Sequence, residues 1–218
     1  MDTWKELQWW DCGEQQVIKE KLDELDKSGA TYCPGRDHLY AAMELCPYGN
    51  THVVLMGQDP YPNPKLATGL AFDVPASVRK YPPSLQIIYD ELQSDLQVER
   101  KNGSLRSWCK QGVFLWNAIP TCLAWKSLSH ERWTEWTYLT KEIVEKLSER
   151  GIVFVFLGRV ARQYAKYVDL RNNQILEYSH PSPMGLISKK QTFKGSRLFS
   201  TVNAKLVENG LSPIDWRL

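Results

Sequence analysis

A chain of 218 residues with 43% hydrophobic and 24% charged side chains has the make-up of one soluble globular domain with a sizeable core, and no run reaches the ~18 apolar residues of a membrane span. A formal net charge of +2 excludes a molecule that holds nucleic acid by its overall charge, so such a partner would need a local basic patch. The five cysteines (Cys12, Cys33, Cys46, Cys109, Cys122) include no C-x-x-C pair, which argues against a disulfide framework, a zinc site or an iron–sulfur cluster and for reduced thiols in a cytosol-like compartment.

In chain order, residues 4–11 mix aromatics with charges and lack the apolar stretch of a signal peptide. Two helices are expected near 14–26 and 37–45. The first buried strand is 52–56 (HVVLM), a short apolar and β-branched run. Leu85, Ile88, Tyr89, Leu92 and Leu96 then share one helical face. A second strand, 113–116 (VFLW), precedes another helical face made by Trp136, Leu139, Ile143 and Leu147. The third strand is 152–157 (IVFVFL), followed by a helix over roughly 160–167; the fourth is 174–178 (QILEY), followed by a helix over 196–207. Alternating strands and helices predict an α/β fold: a central four-stranded parallel sheet flanked by helices on both faces, in a single domain over 1–218. Most of the nine tryptophans are expected in its core.

The residues just beyond the strands bear on function. Gly57-Gln58-Asp59-Pro60-Tyr61-Pro62 succeeds the first strand, Asn117 ends the second, Gly158-Arg159 succeeds the third and Ser179-His180-Pro181-Ser182-Pro183 the fourth. Open α/β sheets bind ligands outside the carboxyl ends of their strands, so an Asp, an Asn and a His from distant parts of the chain should meet in one cleft. Each alone has a plain structural use: an Asx-turn for Asp59, backbone satisfaction for Asn117, loop packing for His180. Together they suit a generic hydrolase or a phosphate-binding site equally well, although no G-x-S-x-G nucleophile elbow is present.

The motifs narrow this choice. Gly57-Gln58-Asp59-Pro60-Tyr61 resembles the water-activating GQDPY loop of family-1 uracil-DNA glycosylases, and His180-Pro181-Ser182-Pro183 resembles their HPSP minor-groove loop. Gly69-Leu70-Ala71-Phe72 is similar to the segment that carries their base-stacking Phe. Pro82-Pro83-Ser84-Leu85 resembles their phosphate-gripping turn, and Gln111-Gly112-Val113 through Asn117 their QGV…N strand. The likeness runs from about Tyr32 to Trp216, with five motifs in the family's order.

The resemblance implies hydrolysis of the N-glycosidic bond of deoxyuridine flipped out of DNA, without a metal or any other cofactor. Asp59 and His180 would be catalytic. Gln58, Tyr61, Phe72 and Asn117 would bind uracil, with Tyr61 against C5 and Asn117 reading N3–H and O4. Pro83, Ser84, Gly158, Arg159, Ser182, Met184, Lys189 and Lys190 would contact DNA. Four positions depart from the family pattern: Pro62 and Thr68 stand where many members carry His, Arg159 where Ser is usual, and Met184 where a Leu fills the vacated base stack. Expected partners are uracil-containing DNA, single- or double-stranded, a DNA-mimicking protein inhibitor, and replication or single-strand-binding proteins. No membrane is involved, and a monomer in the cytoplasm, or in the nucleus of a eukaryotic cell, is expected. The rivals are a non-catalytic DNA-scanning subunit, against which Asp59, Asn117 and His180 speak, and a glycosylase for other pyrimidines, against which Tyr61 speaks.

Overall fold

Alternation of apolar strands with amphipathic helices produces a three-layer arrangement in the computed structural model of the protein, which describes residues 3–99, 102–187 and 191–217. Helix α1 (Gly13–Lys27) is followed by a two-residue strand β1 (Tyr32–Cys33) and a short helix α2 (Ala41–Leu45). Then come β2 (Val53–Gly57), α3 (Pro83–Leu96), α4 (Arg106–Lys110), β3 (Val113–Asn117) and β4 (Cys122–Leu123). Helix α5 (Thr134–Ser148), β5 (Val153–Leu157), α6 (Arg159–Arg162), β6 (Gln174–Tyr178) and α7 (Leu198–Glu208) complete the order.

The main sheet has the order β3-β2-β5-β6, and every neighbouring pair is parallel. All residues of β2, β3 and β5 are buried, as parallel strands covered on both faces must be, whereas the edge strand β6 is half-buried throughout. Helix α3 packs against α7 and α1 against α5, while α2 and α4 close the β3 side. The core includes Trp9, Trp108, Trp116 and Trp136, all fully buried, and burying such aromatic bodies is among the larger contributions to stability. Trp125 departs from that expectation at 73% exposure.

The four sheet strands match the sequence reading to within a residue at each end, and the long helices to within two. Two expected helices are corrected. The 37–45 segment is a 3-10 turn (Arg36–His38) followed by α2, because Tyr40 leaves the helical backbone (φ −113°, ψ 17°); beside the break the Gly69 backbone lies against the His38 carbonyl, where a Cβ on Gly69 would sit 2.0 Å from the oxygen. The 160–167 segment is α6 plus a separate 3-10 turn (Ala165–Tyr167), too short to carry a full amphipathic face. Helix α4 and the antiparallel β1–β4 ribbon, which sets Cys33 opposite Cys122, are additions that the short runs in the sequence did not suggest. All five cysteines are free thiols. Among the described residues, no helix is long and apolar enough to cross a membrane, and no cluster of three His, Cys, Asp or Glu side chains could hold a metal ion.

Candidate active site

The carboxyl ends of the parallel strands deliver their loops to one side of the sheet. Strand β2 ends at Gly57, in register with Asn117 at the end of β3. Pairing continues past the strand ends, since Ala118 N–H donates to Gly57 O (3.1 Å) and Ile119 N–H to Gln58 O (2.9 Å), so the 58–62 loop leaves the sheet from a fixed point. A Cβ on Gly57 would meet Asn117 Oδ1 at 2.8 Å and the Phe72 ring at 3.0 Å. Glycine is therefore what lets Asn117 and Phe72 close over the backbone here.

A cleft of about 470 Å³ opens above this point, lined by Gln58, Asp59, Tyr61, Phe72, Ser84, Ser127, His180 and Ser182 with several prolines. A larger cavity of about 690 Å³ near Gln97, Asn102 and Arg217 lies away from the strand ends and gathers none of the motif residues. Chemistry rather than size marks the site.

Asp59 is held by three donors. Gln58 Nε2 donates to Oδ1 at 3.0 Å, while Ser127 Oγ and Leu128 N–H both donate to Oδ2 at 2.6 Å. Tyr61 is half-buried; its hydroxyl lies 2.8 Å from Ser84 Oγ and 3.3 Å from the Phe72 carbonyl, which accepts from it. Burial pushes the Tyr61 phenol well above its ordinary value, so it stays neutral. Phe72 adopts a left-handed backbone (φ 64°) and turns its ring to within 5.7 Å of the His180 imidazole.

His180 is delivered by the loop after β6. Two glycines make room for it: a Cβ on Gly158 would lie 2.9 Å from the His180 Cβ, and one on Gly185 only 1.9 Å from the His180 carbonyl oxygen. Burial lowers the His180 pKa and outweighs the opposing charge of Asp59, which leaves the imidazole neutral at pH 7. The loop then folds on itself, with Ser182 N–H donating to His180 O (2.8 Å) and Gly185 N–H to Ser182 Oγ (3.2 Å). Met184 projects at 84% exposure and Ile187 at 79%.

Most residues singled out in the sequence thus surround one cleft, each with its own place. Asn117 is 6% exposed and lies beneath the lining residues, its Oδ1 against the Gly57 backbone at the end of β3. Pro83 and Ser84 occupy the first turn of α3, whose N-terminus has no side-chain cap. Arg159 stands exposed at the start of α6, 3.7 Å from Glu131. Lys189 and Lys190 lie outside the described residues. Pro62 keeps its loop tied, its carbonyl accepting from Trp125 N–H at 2.6 Å, and Thr68 caps a local turn through Leu70 N–H (3.4 Å). Sequence reasoning missed Ser127, Leu128 and Gly185. A serine and a leucine in a polar loop carry no periodic signal, and Gly185 could have been noticed only as a glycine shortly after the His-Pro-Ser-Pro turn.

The profile of the Uracil DNA glycosylase superfamily matches residues 43–207. A uracil-DNA glycosylase of Enterococcus faecalis is 46% identical over 206 residues, covering 93% of this chain and 88% of that one. The enzyme of the same name from Limosilactobacillus reuteri is 39% identical over 219 residues, covering 96% and 93%. Among solved structures, mimivirus uracil-DNA glycosylase superposes with a TM-score of 0.85 at 27% identity, covering 95% of this chain and 83% of that one. A variant of mimivirus UNG in complex with UGI gives 0.86 at 27% identity, covering 97% and 88%. A profile match that includes every strand of the main sheet, together with relatives alike over nearly their whole length, makes this chain a member of the uracil-DNA glycosylase superfamily.

Proposed function

We propose that the protein, working as one domain over residues 1–218, is a monofunctional uracil-DNA glycosylase: it hydrolyses the N-glycosidic bond of flipped-out deoxyuridine, releases uracil and leaves an abasic site. The observation that carries this reading is the meeting of a donor-held Asp59 carboxylate and a neutral, half-buried His180 on one cleft walled by Tyr61 and Phe72. Breaking the C1′–N1 bond sends its electron pair into uracil and leaves positive charge on the sugar. Asp59 faces the sugar, stabilises that charge and orients the water whose oxygen bonds to C1′; the proton lost by the water passes through the carboxylate to solvent. His180 donates a hydrogen bond to uracil O2 as negative charge gathers there. Fixed groups aimed at developing charge in a water-poor pocket are commonly the largest contribution to such catalysis.

Phe72 stacks on the base. Asn117 accepts from N3–H and donates to O4, and Gln58 lines the same pocket. Cytosine offers the reverse pattern at those two atoms and would leave buried polar groups unpaired, a mismatch that can discriminate by about 10⁴–10⁵. The Tyr61 ring, pinned through its hydroxyl to Ser84, meets C5 and refuses the thymine methyl. DNA phosphates would lie along the uncapped first turn of α3 at Pro83 and Ser84, and along Gly158, Ser182 and the exposed Arg159, whose surface pairing to Glu131 is weak enough to exchange for a phosphate. Lys189 and Lys190 would add phosphate contacts, and Met184 would enter the stack that the base leaves. The UGI complex of the mimivirus relative supports a DNA-mimicking inhibitor as a partner. Replication or single-strand-binding proteins complete the proposed partners, with the protein a monomer in a reducing compartment that holds DNA, the cytoplasm or a nucleus.

The test is an end-labelled oligonucleotide with one uracil, incubated with the protein in EDTA and then cleaved by alkali at abasic sites, with thymine and cytosine controls. Cleavage confined to uracil is the expected result; none from folded, DNA-binding protein would overturn the assignment in favour of a binding subunit.

A further inference from the structure

A carboxylate offers about four acceptor positions, two on each oxygen. On Asp59, Oδ2 receives Ser127 Oγ–H and Leu128 N–H, each at 2.6 Å, and is full. Oδ1 receives Gln58 Nε2 at 3.0 Å and keeps one position open. Only Oδ1 can therefore take a further donor, and the reacting water must be received there. The bond from Ser127 has the length of a charge-assisted O–H···O⁻ contact.

Both donors to Oδ2 come from a segment that the backbone holds at some cost. Trp125 (φ 65°) and Leu128 (φ 59°) bracket Ser127 in the left-handed region without being glycine, and such strain persists only where the surroundings hold it. The ties are visible. Trp125 N–H donates to Pro62 O at 2.6 Å, on the very loop that carries Asp59. Behind the segment, Leu123 N–H donates to Ser129 Oγ at 2.6 Å, and His130 Nδ1 meets Thr121 Oγ1 at 2.8 Å. Ser127 is itself exposed at the cleft mouth, so its side chain is not placed there by core packing.

We infer that Ser127 is a positioning residue for catalysis: with Leu128 N–H it occupies Asp59 Oδ2, stops the carboxylate from turning, and leaves Oδ1 alone to hold the attacking water. This rests on the proposed role of Asp59. Without the hydroxyl, Oδ2 also offers a vacant position, the carboxylate can turn, and water divides between a productive and an unproductive site. Substrate binding is untouched, because Ser127 acts through Asp59.

Single-turnover and steady-state excision from a uracil oligonucleotide, with wild type, Ser127→Ala, Ser127→Thr, Asp59→Ala and the Asp59→Ala/Ser127→Ala double variant, tests the inference. Expected are a fall in kcat of about tenfold for Ser127→Ala with KM unchanged, recovery in Ser127→Thr, which keeps the hydroxyl, and no added loss from Ser127→Ala on top of Asp59→Ala. Wild-type kcat in Ser127→Ala, a loss carried by KM, or an equal loss in the Asp59→Ala background would overturn it while leaving the glycosylase assignment standing. An inactive wild type would overturn that assignment, and this inference with it.

Discussion

Two loops wall the cleft, and they are held in opposite ways. The loop that carries Asp59 is tied from outside, by β3 through Ala118 and Ile119 and by the 125–128 segment through Trp125, Ser127 and Leu128. Among the described residues, the loop that carries His180 and Met184 is tied within itself through Ser182 and Gly185, is closed at its base by Ser179 with Gln191 and Phe193, and leaves two apolar side chains in solvent. The contrast matches the proposed work of each. A carboxylate that aims water must not turn, so it is clamped by its neighbours. A wedge that fills a base stack must stay uncovered until DNA covers it, and under the proposed function the exposed Met184 and its neighbour Ile187 would serve as such an interface.

The comparison can be broken at four points, from the largest effect downward. Asp59→Asn removes the charge at the centre of the clamped loop; kcat should fall by about 10²–10³ with uracil-DNA affinity retained, and an equal loss of affinity in a binding titration would indicate misfolding instead. Next is the anchor of the clamp. Trp136 Nε1–H donates to Thr121 Oγ1 at 2.7 Å, and Thr121 Oγ1 shares a 2.8 Å hydrogen bond with His130 Nδ1, so protonating that imidazole places a charge inside the buried anchor. Burial, helped by the charge of Lys21, pushes His130 down to about 4 from its ordinary 6.5. The unfolded chain thus takes up this proton at higher pH than the folded one. Stability is whole above pH 6.5 and declines as pH falls toward 4, by up to about 3 kcal/mol. Urea unfolding at pH 7 and pH 4.5 should show a shallower decline in His130→Gln; matching slopes would remove His130 as the cause.

The self-tied loop offers the two smaller effects. Gly185→Ala forces a methyl to 1.9 Å from the His180 carbonyl and must shift that backbone; excision should drop by about 10² while melting temperature changes little. Undiminished excision would mean that the loop adjusts freely. Met184→Ala loses only the wedge, so duplex excision should fall by about tenfold, as expected from the burial of one Met side chain, with single-stranded excision nearly unchanged. Equal effects on the two substrates would show that Met184 does something other than fill the stack.

Where the sequence was legible, local physics was enough. The runs at 52–56, 113–116, 152–157 and 174–178 became the four parallel strands because continuous apolar, β-branched segments have few other ways to be buried, and the rule that ligands sit at carboxyl ends then put Asp59 and His180 on one cleft, with Asn117 at the neighbouring strand end. The breaks at His38–Tyr40 and after Arg162 were not legible, since the first is packed against Gly69 from a remote segment and no periodic face exists to reveal the second. Trp125 was hidden for a related reason: composition places tryptophans in cores on average and cannot say which one is left outside.

Spacing and residue type alone therefore determined the fold class, the cleft side of the sheet and the acidic, amide and imidazole groups brought to it, because strand and helix periods are properties of neighbouring residues. Only the tertiary structure decided which oxygen of Asp59 is filled, that His180 is held neutral by burial, and that Gly57, Gly158 and Gly185 must lack a Cβ. Each of these depends on a hydrogen bond, a desolvation or a close contact between groups far apart in the chain, and no local pattern encodes such distances.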